Sequence, residues 1–241
     1  MSDWKPRVFW TEARAVPATG GYTVELDGRP VRTPAKAPLV VPSEPLAQAL
    51  AGEWAVQTEV VDPTIMPLTR TANSAIDKVT HQHADVAEML AAYGDADLLC
   101  YRADSPAELV DRQNREWDPV LDWAASELGA RLAPRQGILH APQDPVALET
   151  LRSRVHALDP FELAAFHDLV AISGSLVLGF ASFLTNWTGD RLWEISRLDE
   201  TWQEEQWGVD DEAREVAALK KAAFDDARRF MSLLAQDSGR S

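Results

Sequence analysis

The sequence contains one cysteine and no long apolar stretch. The single Cys100 excludes a disulfide framework and a cysteine-based zinc site. The most apolar run, residues 169–184, is too short for a membrane span and is interrupted by small residues: Ser173, Gly174, Ser175 and Gly179. The N-terminal MSDWKPRVFW lacks the basic start and apolar stretch of a signal peptide. We therefore expect an untargeted cytoplasmic protein with no membrane partner.

Basic residues are also scarce. Lys and Arg number 23 against 38 Asp and Glu, which gives a formal net charge of −15. Duplex nucleic acid and anionic membrane surfaces would repel such a chain, so neither is an expected partner. Hydrophobic residues make up 46% of the 241 residues, a composition typical of globular proteins rather than disordered ones.

Charge and local composition divide the chain near residue 80. Residues 1–80 carry a net charge of −1, and residues 81–241 carry the remaining −14. Short β-prone segments separated by Gly and Pro occur up to residue 42, where Asp27-Gly28 is a typical hairpin turn. After Pro42, helical patterns dominate. The sequence therefore predicts an α+β fold, with a small antiparallel β-rich N-terminal domain and connecting helices in residues 1–80, followed by a larger α-helical domain in residues 81–241.

Short polar residues predict where several helices begin. Ser43 is a candidate N-cap for the first helix, since its hydroxyl can accept a backbone N–H bond. Asp144, Asp159 and Asp190 are candidate N-caps for later helices, where a carboxylate also suits the positive end of the helix dipole. The last helix should run from about residue 210 to residue 234.

Three further patterns predict local structure in the middle of the chain. Ser105-Pro106-Ala107-Glu108 has the pattern of a capping box at the start of a helix. Pro119 should kink or divide that helix. Residues 98–101 are interpreted as a short buried strand or extended piece that ties the second half of the chain to the N-terminal sheet.

No motif for nucleotide, cofactor or metal binding is present. The chain lacks a glycine-rich phosphate loop and a Gly-x-Ser-x-Gly motif, and Ser173-Gly174-Ser175 is better explained by close helix packing. His81 and His83 are a tempting pair, but residues two apart on a helix point to different sides. Asp95 and Asp97 could hold Mg²⁺ in principle, although a turn or cap role is favoured. We expect neither a cofactor nor a metal ion.

The densest feature of the sequence is an acidic segment at residues 194–215, which holds nine acids against two arginines. Ile195, Leu198 and Trp202 follow the spacing i, i+3, i+7, so they share one side that should face the core. Three of the acids are interpreted as a solvated face: Glu204, Glu205 and Glu212.

Asp199 and Glu200 lie next to the apolar side of this segment. One interpretation is a hydrolase that uses the carboxylate cluster around these two residues for acid–base chemistry. Acids adjacent on a helix diverge rather than converge, which counts against it. A third alternative is an unspecific acidic scaffold for basic proteins, whose binding would be steeply sensitive to salt.

Tryptophan is frequent, with nine in the chain. Most of the nine lie in helical context, where burial in the core is their ordinary role. Tryptophan is also enriched in interface hot spots, and the residues alone leave both roles open.

Eight sequence blocks, in order along the chain, carry a resemblance to a known family: RVFW (7–10), GGYTVELDGRPVRTPAKAP (20–38), EW (53–54), PTIMPLTRTANSAID (63–77), DLLCYR (97–102), WDP (117–119), FHDLVAISGSLVL (166–178) and SRLDETWQEEQWG (196–208). Together they resemble the assembly chaperones of the mitochondrial F-type ATP synthase, specifically the one that attends the alpha subunit of the catalytic head. Bacterial homologues of this family exist, and the resemblance covers nearly the whole chain.

The resemblance implies a non-enzymatic chaperone that uses no nucleotide. It would bind the newly made alpha subunit before that subunit meets beta, and so prevent its aggregation. The family's sensitive acid lies in the segment matched by Asp199 and Glu200, with the choice between them open. Trp202 and Trp207 would supply contact area nearby, and Trp54 is a further partner-binding candidate that could instead pack between the domains. We expect transient binding by a monomer.

Overall fold

The structure, a computed structural model, describes residues 7–137 and 139–236. A small antiparallel β region near the N-terminus is followed by a mostly helical chain, so the predicted α+β fold is confirmed. The chain forms two compact units. The first takes the residues up to 82 with 160–165 and those from 229 onward, and the second takes 83–159 and 166–228. Compactness does not test independent folding, so the predicted domain boundary at residue 80 stays a prediction.

The N-terminal sheet has strand β1 (Ala13–Ala18) paired antiparallel with β2 (Gly21–Leu26). Strand β2 also pairs with two short strands, β3 (Arg29–Pro30) and β4 (Val40–Val41). The predicted turn at Asp27-Gly28 is confirmed, because both residues have positive φ, +48° and +78°, as a type I′ turn requires. A tight hairpin turn therefore connects β2 to β3 in this sheet.

Ten α-helices follow within the described residues: α1 (Glu44–Ala55), α2 (Pro67–Ser74), α3 (Thr80–Ala91), α4 (Ala107–Trp123), α5 (Pro145–His156), α6 (Pro160–Ser173), α7 (Leu176–Leu184), α8 (Gly189–Ser196), α9 (Leu198–Trp207) and α10 (Asp211–Ala235). Two short strands, β5 (Tyr101–Arg102) and β6 (Arg135–Gln136), pair in parallel. In the described part of the chain, no helix is long and apolar enough to cross a membrane.

Two of the predicted helix caps are confirmed and one is wrong. The Ser43 hydroxyl accepts a hydrogen bond from Leu46 N, and Asp144 accepts from two backbone N–H groups of α5. Helix α8, however, is capped by Thr188, whose hydroxyl accepts from Arg191 N at 3.2 Å. Asp190 therefore lies inside the first turn. Its carboxylate is free for an ion pair with a lysine instead.

The prediction of a capping box before α4 is wrong. This helix begins at Ala107 with Pro106 at the N-cap, so Ser105 lies one position too early for its side chain to cap the helix. Pro119 does not divide the helix, because α4 continues to Trp123 and a π-helical turn follows; the alternative of a kink at Pro119 stays a prediction. Pro119 and Arg115 are both exposed, so water can satisfy the carbonyl that loses its N–H partner.

The predicted tie between residues 98–101 and the N-terminal sheet is wrong. Leu98–Cys100 forms a short 3₁₀ helix, and the strand that follows it, β5, pairs with β6 instead. The buried Asp97 starts this 3₁₀ helix by accepting from Leu99 N at 3.0 Å, and it also accepts from Val177 N at 3.1 Å. The cap role of Asp97 that was favoured over metal binding is therefore confirmed.

Close packing explains Gly179 of α7, and helix termination and capping explain the residues that join α6 to α7. A Cβ built on Gly179 would lie 2.9 Å from the Phe166 ring and 2.8 Å from Val170. The Phe166 and Phe180 rings pack in a tilted arrangement with their centroids 4.7 Å apart. Ser175 caps α7 by accepting from Leu178 N. The packing interpretation of Ser173-Gly174-Ser175 is wrong, because these residues join α6 to α7: Gly174 has a φ of +71° and Ser175 is the N-cap of α7.

Candidate functional site

The predicted acidic site lies on α9, which carries Asp199, Glu200, Trp202 and Trp207. Arg197 has a non-helical backbone (φ −111°, ψ 20°) and separates α8 from α9. The prediction that this side faces the core is confirmed for Ile195 and Leu198 and only in part for Trp202, and the helix is not continuous. Ile195 and Leu198 are buried on either side of the break, but Trp202 is half-buried and Trp207 is 79% exposed.

Asp199 is held in place by α4. Gln113, which is 1% exposed, donates from Nε2 to Asp199 Oδ1 at 2.7 Å. The other end of the Gln113 amide accepts from Ala103 N at 2.8 Å, so both ends of the side chain are fixed. Burial of the half-buried carboxyl raises the pKa of Asp199, and the neighbouring charge of Glu200 adds to this rise. The position of Asp199 is thus set by a buried amide.

Contacts around Arg102 also hold α4 against the turn between α8 and α9. The Arg102 side chain, 5% exposed, forms an ion pair with Asp118 at 2.8 Å and lies over the Trp117 ring, 5.3 Å from its centroid. Trp117 in turn donates from Nε1 to the carbonyl of Ile195 at 2.9 Å. Two of the quoted sequence blocks, DLLCYR and WDP, therefore meet here and fix the turn that precedes α9.

Glu200 differs from the adjacent Asp199 in its exposure to solvent and in its hydrogen bonding. Its side chain is exposed, and among the described residues it has neither a hydrogen bond nor an ion pair. Asp199, one residue earlier, is half-buried and already bonded to Gln113. The two adjacent acids therefore combine an anchored carboxyl with a solvent-facing one.

The interpretation of Glu204 and Glu205 as a solvated face is confirmed for Glu205, which is exposed, whereas Glu204 is half-buried, and both form ion pairs. Glu204 forms an ion pair with Arg197 at 2.9 Å, and Glu205 forms one with Arg112 at 2.7 Å. Both carboxylates remain partly exposed, so the pairs set side-chain positions more than they stabilise the fold. Glu212, at the start of α10, is exposed as expected.

A cavity of about 290 Å³ lies beside this site, and its walls mix charged and apolar groups: Arg112, Glu116, Arg191, Glu194, Ile195, Leu198 and Thr201. Arg191 and Glu116 form an ion pair with each other across part of this wall. Neither Asp199 nor Glu200 is among the described residues that line the cavity. This cavity therefore does not bring the two acids together, and the carboxylate-hydrolase alternative gains no support from it.

Trp54 lies on α1 in the first compact unit and belongs to an aromatic cluster. Its ring packs edge-to-face on Trp10 with centroids 5.5 Å apart, and Trp10 donates from Nε1 to the Trp54 carbonyl at 3.3 Å. Phe9 extends the cluster at 5.2 Å from Trp10 and is largely exposed. Trp54 itself is half-buried, so it both packs and presents surface.

Sequence reasoning missed the role of Glu53, the partner of Trp54 in the EW block. Its two carboxylate oxygens accept from Leu68 N and Thr69 N, each at 2.8 Å, at the start of α2. The N-cap residue of that helix, Met66, has no side chain that could do this. The absence of a capping residue before PLTRTANSAID was the one signal in the sequence that a distant acid was needed.

The metal candidates in the sequence are placed apart from one another. His83 donates from Nε2 to the Leu158 carbonyl at 2.7 Å, whereas His81 is exposed. Asp95 accepts from Gln143 N at 2.8 Å and pairs with His140 at 3.2 Å. In residues 7–137 and 139–236, no group of three or more His, Cys, Asp or Glu side chains is arranged to hold a metal ion.

Comparisons with known proteins define the class of this chain. The family model described as ATP12 chaperone protein matches residues 7–125. A crystal structure of Atp12 from Paracoccus denitrificans is 50% identical, with a TM-score of 0.93, and the match covers 96% of this chain and 100% of that one. The chain belongs to the ATP12 chaperone family, as its motifs indicated, and it is a bacterial-type chaperone of ATP synthase assembly.

Two further relatives agree with this assignment. The Atu1473 protein of Agrobacterium tumefaciens has a solved structure that is 40% identical, with a TM-score of 0.91, and the match covers 95% of this chain and 86% of that one. Protein atp12, mitochondrial, of Schizosaccharomyces pombe is 25% identical over 223 residues, which is 87% of this chain and 76% of the relative.

Proposed function

We propose that this protein binds the unassembled alpha subunit of the F-type ATP synthase and prevents its aggregation, by binding alone and without catalysing a reaction. A ring subunit that lacks its neighbours exposes an apolar interface, and such surfaces drive aggregation. A protein that covers this interface until beta arrives keeps the subunit available for assembly. Binding must be reversible, so a Kd on the order of micromolar suits the role better than a nanomolar one.

One observation carries the proposal: Glu200 is exposed and, among the described residues, has no ion-pair partner. Its helix, α9, is held in place by the hydrogen bond between Gln113 and Asp199. A charge that has no internal partner can meet a basic group of another protein with little rearrangement. Asp199 has the supporting role, because its hydrogen bond to Gln113 fixes the start of α9. This division of roles favours Glu200 over Asp199 as the acid that contacts the partner.

Tryptophans supply the contact area in this proposal. Trp202 is half-buried and Trp207 is largely exposed on the same helix, so both present ring surface to a partner. In the first compact unit, Trp54 and the exposed Phe9 present a second aromatic surface. Large aromatic side chains give much of the affinity at protein interfaces.

A pull-down from the source cytosol tests the proposal. The immobilised full chain should enrich the alpha subunit over the beta subunit and over unrelated basic proteins, and the enrichment should persist at moderate salt. Equal capture of many basic proteins, lost steeply as salt rises, would instead indicate an unspecific acidic scaffold. Sedimentation of the free chain as a monomer is the expected accompanying result.

A further inference from the structure

The end of α9 and the start of α10 form a segment that no other described part of the chain covers. We name residues 205–220 the acidic arm. None of its residues is buried, and all are exposed except the half-buried Ala217. By contrast, the following part of α10 is packed, since Phe224 is fully buried against the Trp193 ring at 6.1 Å. Helix α10 is therefore exposed up to residue 220 and packed against the rest of its unit from about one turn later.

The acidic arm exposes large apolar side chains. Trp207 is 79% and Leu219 is 73% exposed, and Val209 and Val216 are about half exposed. Val216 and Leu219 are three residues apart on α10 and share one side of the helix. An uncovered apolar row on an ordered helix is unfavourable in water, and such patches mark surfaces that another molecule covers.

Ion pairs at Lys221, directly after the acidic arm, fix the helix that continues from it. Lys221 Nζ lies 2.7 Å from Asp190 and 2.6 Å from Asp225, which ties α10 to the start of α8. At the tip, Asp210 accepts from Glu212 N at 2.9 Å and so caps α10. Because the helix is already formed, a partner would not have to order it on binding.

Charge decides which partner fits this surface. The arm carries five acids, Glu205, Asp210, Asp211, Glu212 and Glu215, against Arg214 and Lys220, and Glu205 also pairs with Arg112 of α4. A second copy of this chain, itself at a net charge of −15, would bring like charges together, and an anionic lipid surface would be repelled in the same way. An apolar protein surface bordered by Lys or Arg complements both the apolar side chains and the negative charge of the arm.

We infer that the acidic arm is a docking surface for the unassembled client subunit, with Trp207, Val216 and Leu219 set against an apolar patch that basic residues border. The inference rests on the proposed function, because it takes the alpha subunit as the client. It goes beyond that function by assigning the contact to residues 205–220, which lie outside the Asp199–Glu200 pair.

The test measures binding of the full chain to the purified alpha subunit by titration calorimetry. The arm variant is Val216→Ser/Leu219→Ser, which changes only α10 and leaves the tryptophans of α9 in place. The matched control is Met89→Ser/Val146→Ser, which removes two exposed apolar side chains from helices outside the arm. The arm variant should bind at least about tenfold more weakly, as expected for removal of interface anchors, while the control binds like the unmodified chain. Thermal melts should show that all three proteins remain folded.

The outcomes separate this inference from the function on which it rests. Binding by the unmodified chain together with equal binding by the arm variant would overturn the arm as the docking surface and leave the proposed function standing. Absence of binding by the unmodified chain would overturn both. A dimer of the free chain that sedimentation detects, and that the arm variant abolishes, would overturn the assignment by giving the arm to a second copy.

Discussion

Gln113 fixes Asp199: the amide of the buried glutamine donates to the carboxyl at 2.7 Å across 86 residues of sequence. This bond joins α4 to the first turn of α9, the helix that presents Glu200 to solvent. In the proposed function, the carboxyl of Asp199 therefore serves to place α9 and does not contact the partner. Separate substitutions at the two acids and at the glutamine can distinguish placement from contact.

Replacing Gln113 with Ala should destabilise the protein. The change leaves Ala103 N and the half-buried carboxyl of Asp199 without their partner, and unsatisfied buried groups of this kind cost about 1–3 kcal/mol. Urea unfolding at pH 7 measures the loss. Gln113→Glu should be worse at pH 7 than at pH 5, because it sets two carboxylates against each other. Unchanged stability in Gln113→Ala would show that the bond does not hold α9.

Replacing Asp199 with Asn should leave stability at pH 7 unchanged or slightly raised. Burial raises the pKa of Asp199, so the folded state binds a proton more readily than the unfolded state. The ionised group therefore opposes folding above its folded pKa, and this penalty disappears as the pH falls below its unfolded value near 3.8. Unfolding curves of both proteins from pH 4 to 7 should converge towards the acid end. A large loss of stability at pH 7 would contradict this.

Asp97 should make the free energy of unfolding depend on pH more strongly than Asp199 does. It is fully buried between the 97–100 turn and α7, and burial raises its pKa to about 6 from 3.8. Its contribution to stability should therefore increase as the pH falls from about 7 towards 4. Asp97→Asn should be less stable, because an amide N–H faces the Val177 N–H, and it should also lose this pH slope. A slope that persists in the variant would assign it to other groups.

Glu53→Ala should lower the free energy of unfolding by about 0.5–2 kcal/mol, as loss of a helix cap does. The carboxylate satisfies two backbone N–H groups at the start of α2, and no side chain at Met66 replaces it. Chemical denaturation with an unchanged m-value measures the effect. Glu59→Ala, a change at an exposed acid of the same unit, is the matched control and should have no effect.

The features that could be predicted from the sequence are those that nearby residues decide. The Asp27-Gly28 turn and the Ser43 and Asp144 caps each depend on contacts within a few residues, and the general α+β division follows from local patterns. The bonds from Glu53 to α2 and from Gln113 to Asp199 span 15 and 86 residues, and no periodicity signals such pairs. Tertiary contacts decided them.

The acidic segment illustrates the same limit at the candidate site. Its spacing placed Ile195, Leu198 and Trp202 on one continuous helix, but the backbone breaks at Arg197. Ion pairs with Arg197 and Arg112 also remove Glu204 and Glu205 from the set of free acids. Three-dimensional packing distinguishes the exposed Glu200 from its neighbour Asp199, which is half-buried and bonded to Gln113.

Suppression of alpha-subunit aggregation tests the central claim most directly. Light scattering of the purified alpha subunit on dilution from denaturant is followed with equimolar unmodified chain, with Glu200→Lys, and with Asp85→Lys, a charge reversal at another exposed acid on α3. We expect suppression by the unmodified chain and by Asp85→Lys, and loss of suppression in Glu200→Lys at an unchanged Tm. Equal suppression by Glu200→Lys, or no suppression by the unmodified chain, would contradict the central claim.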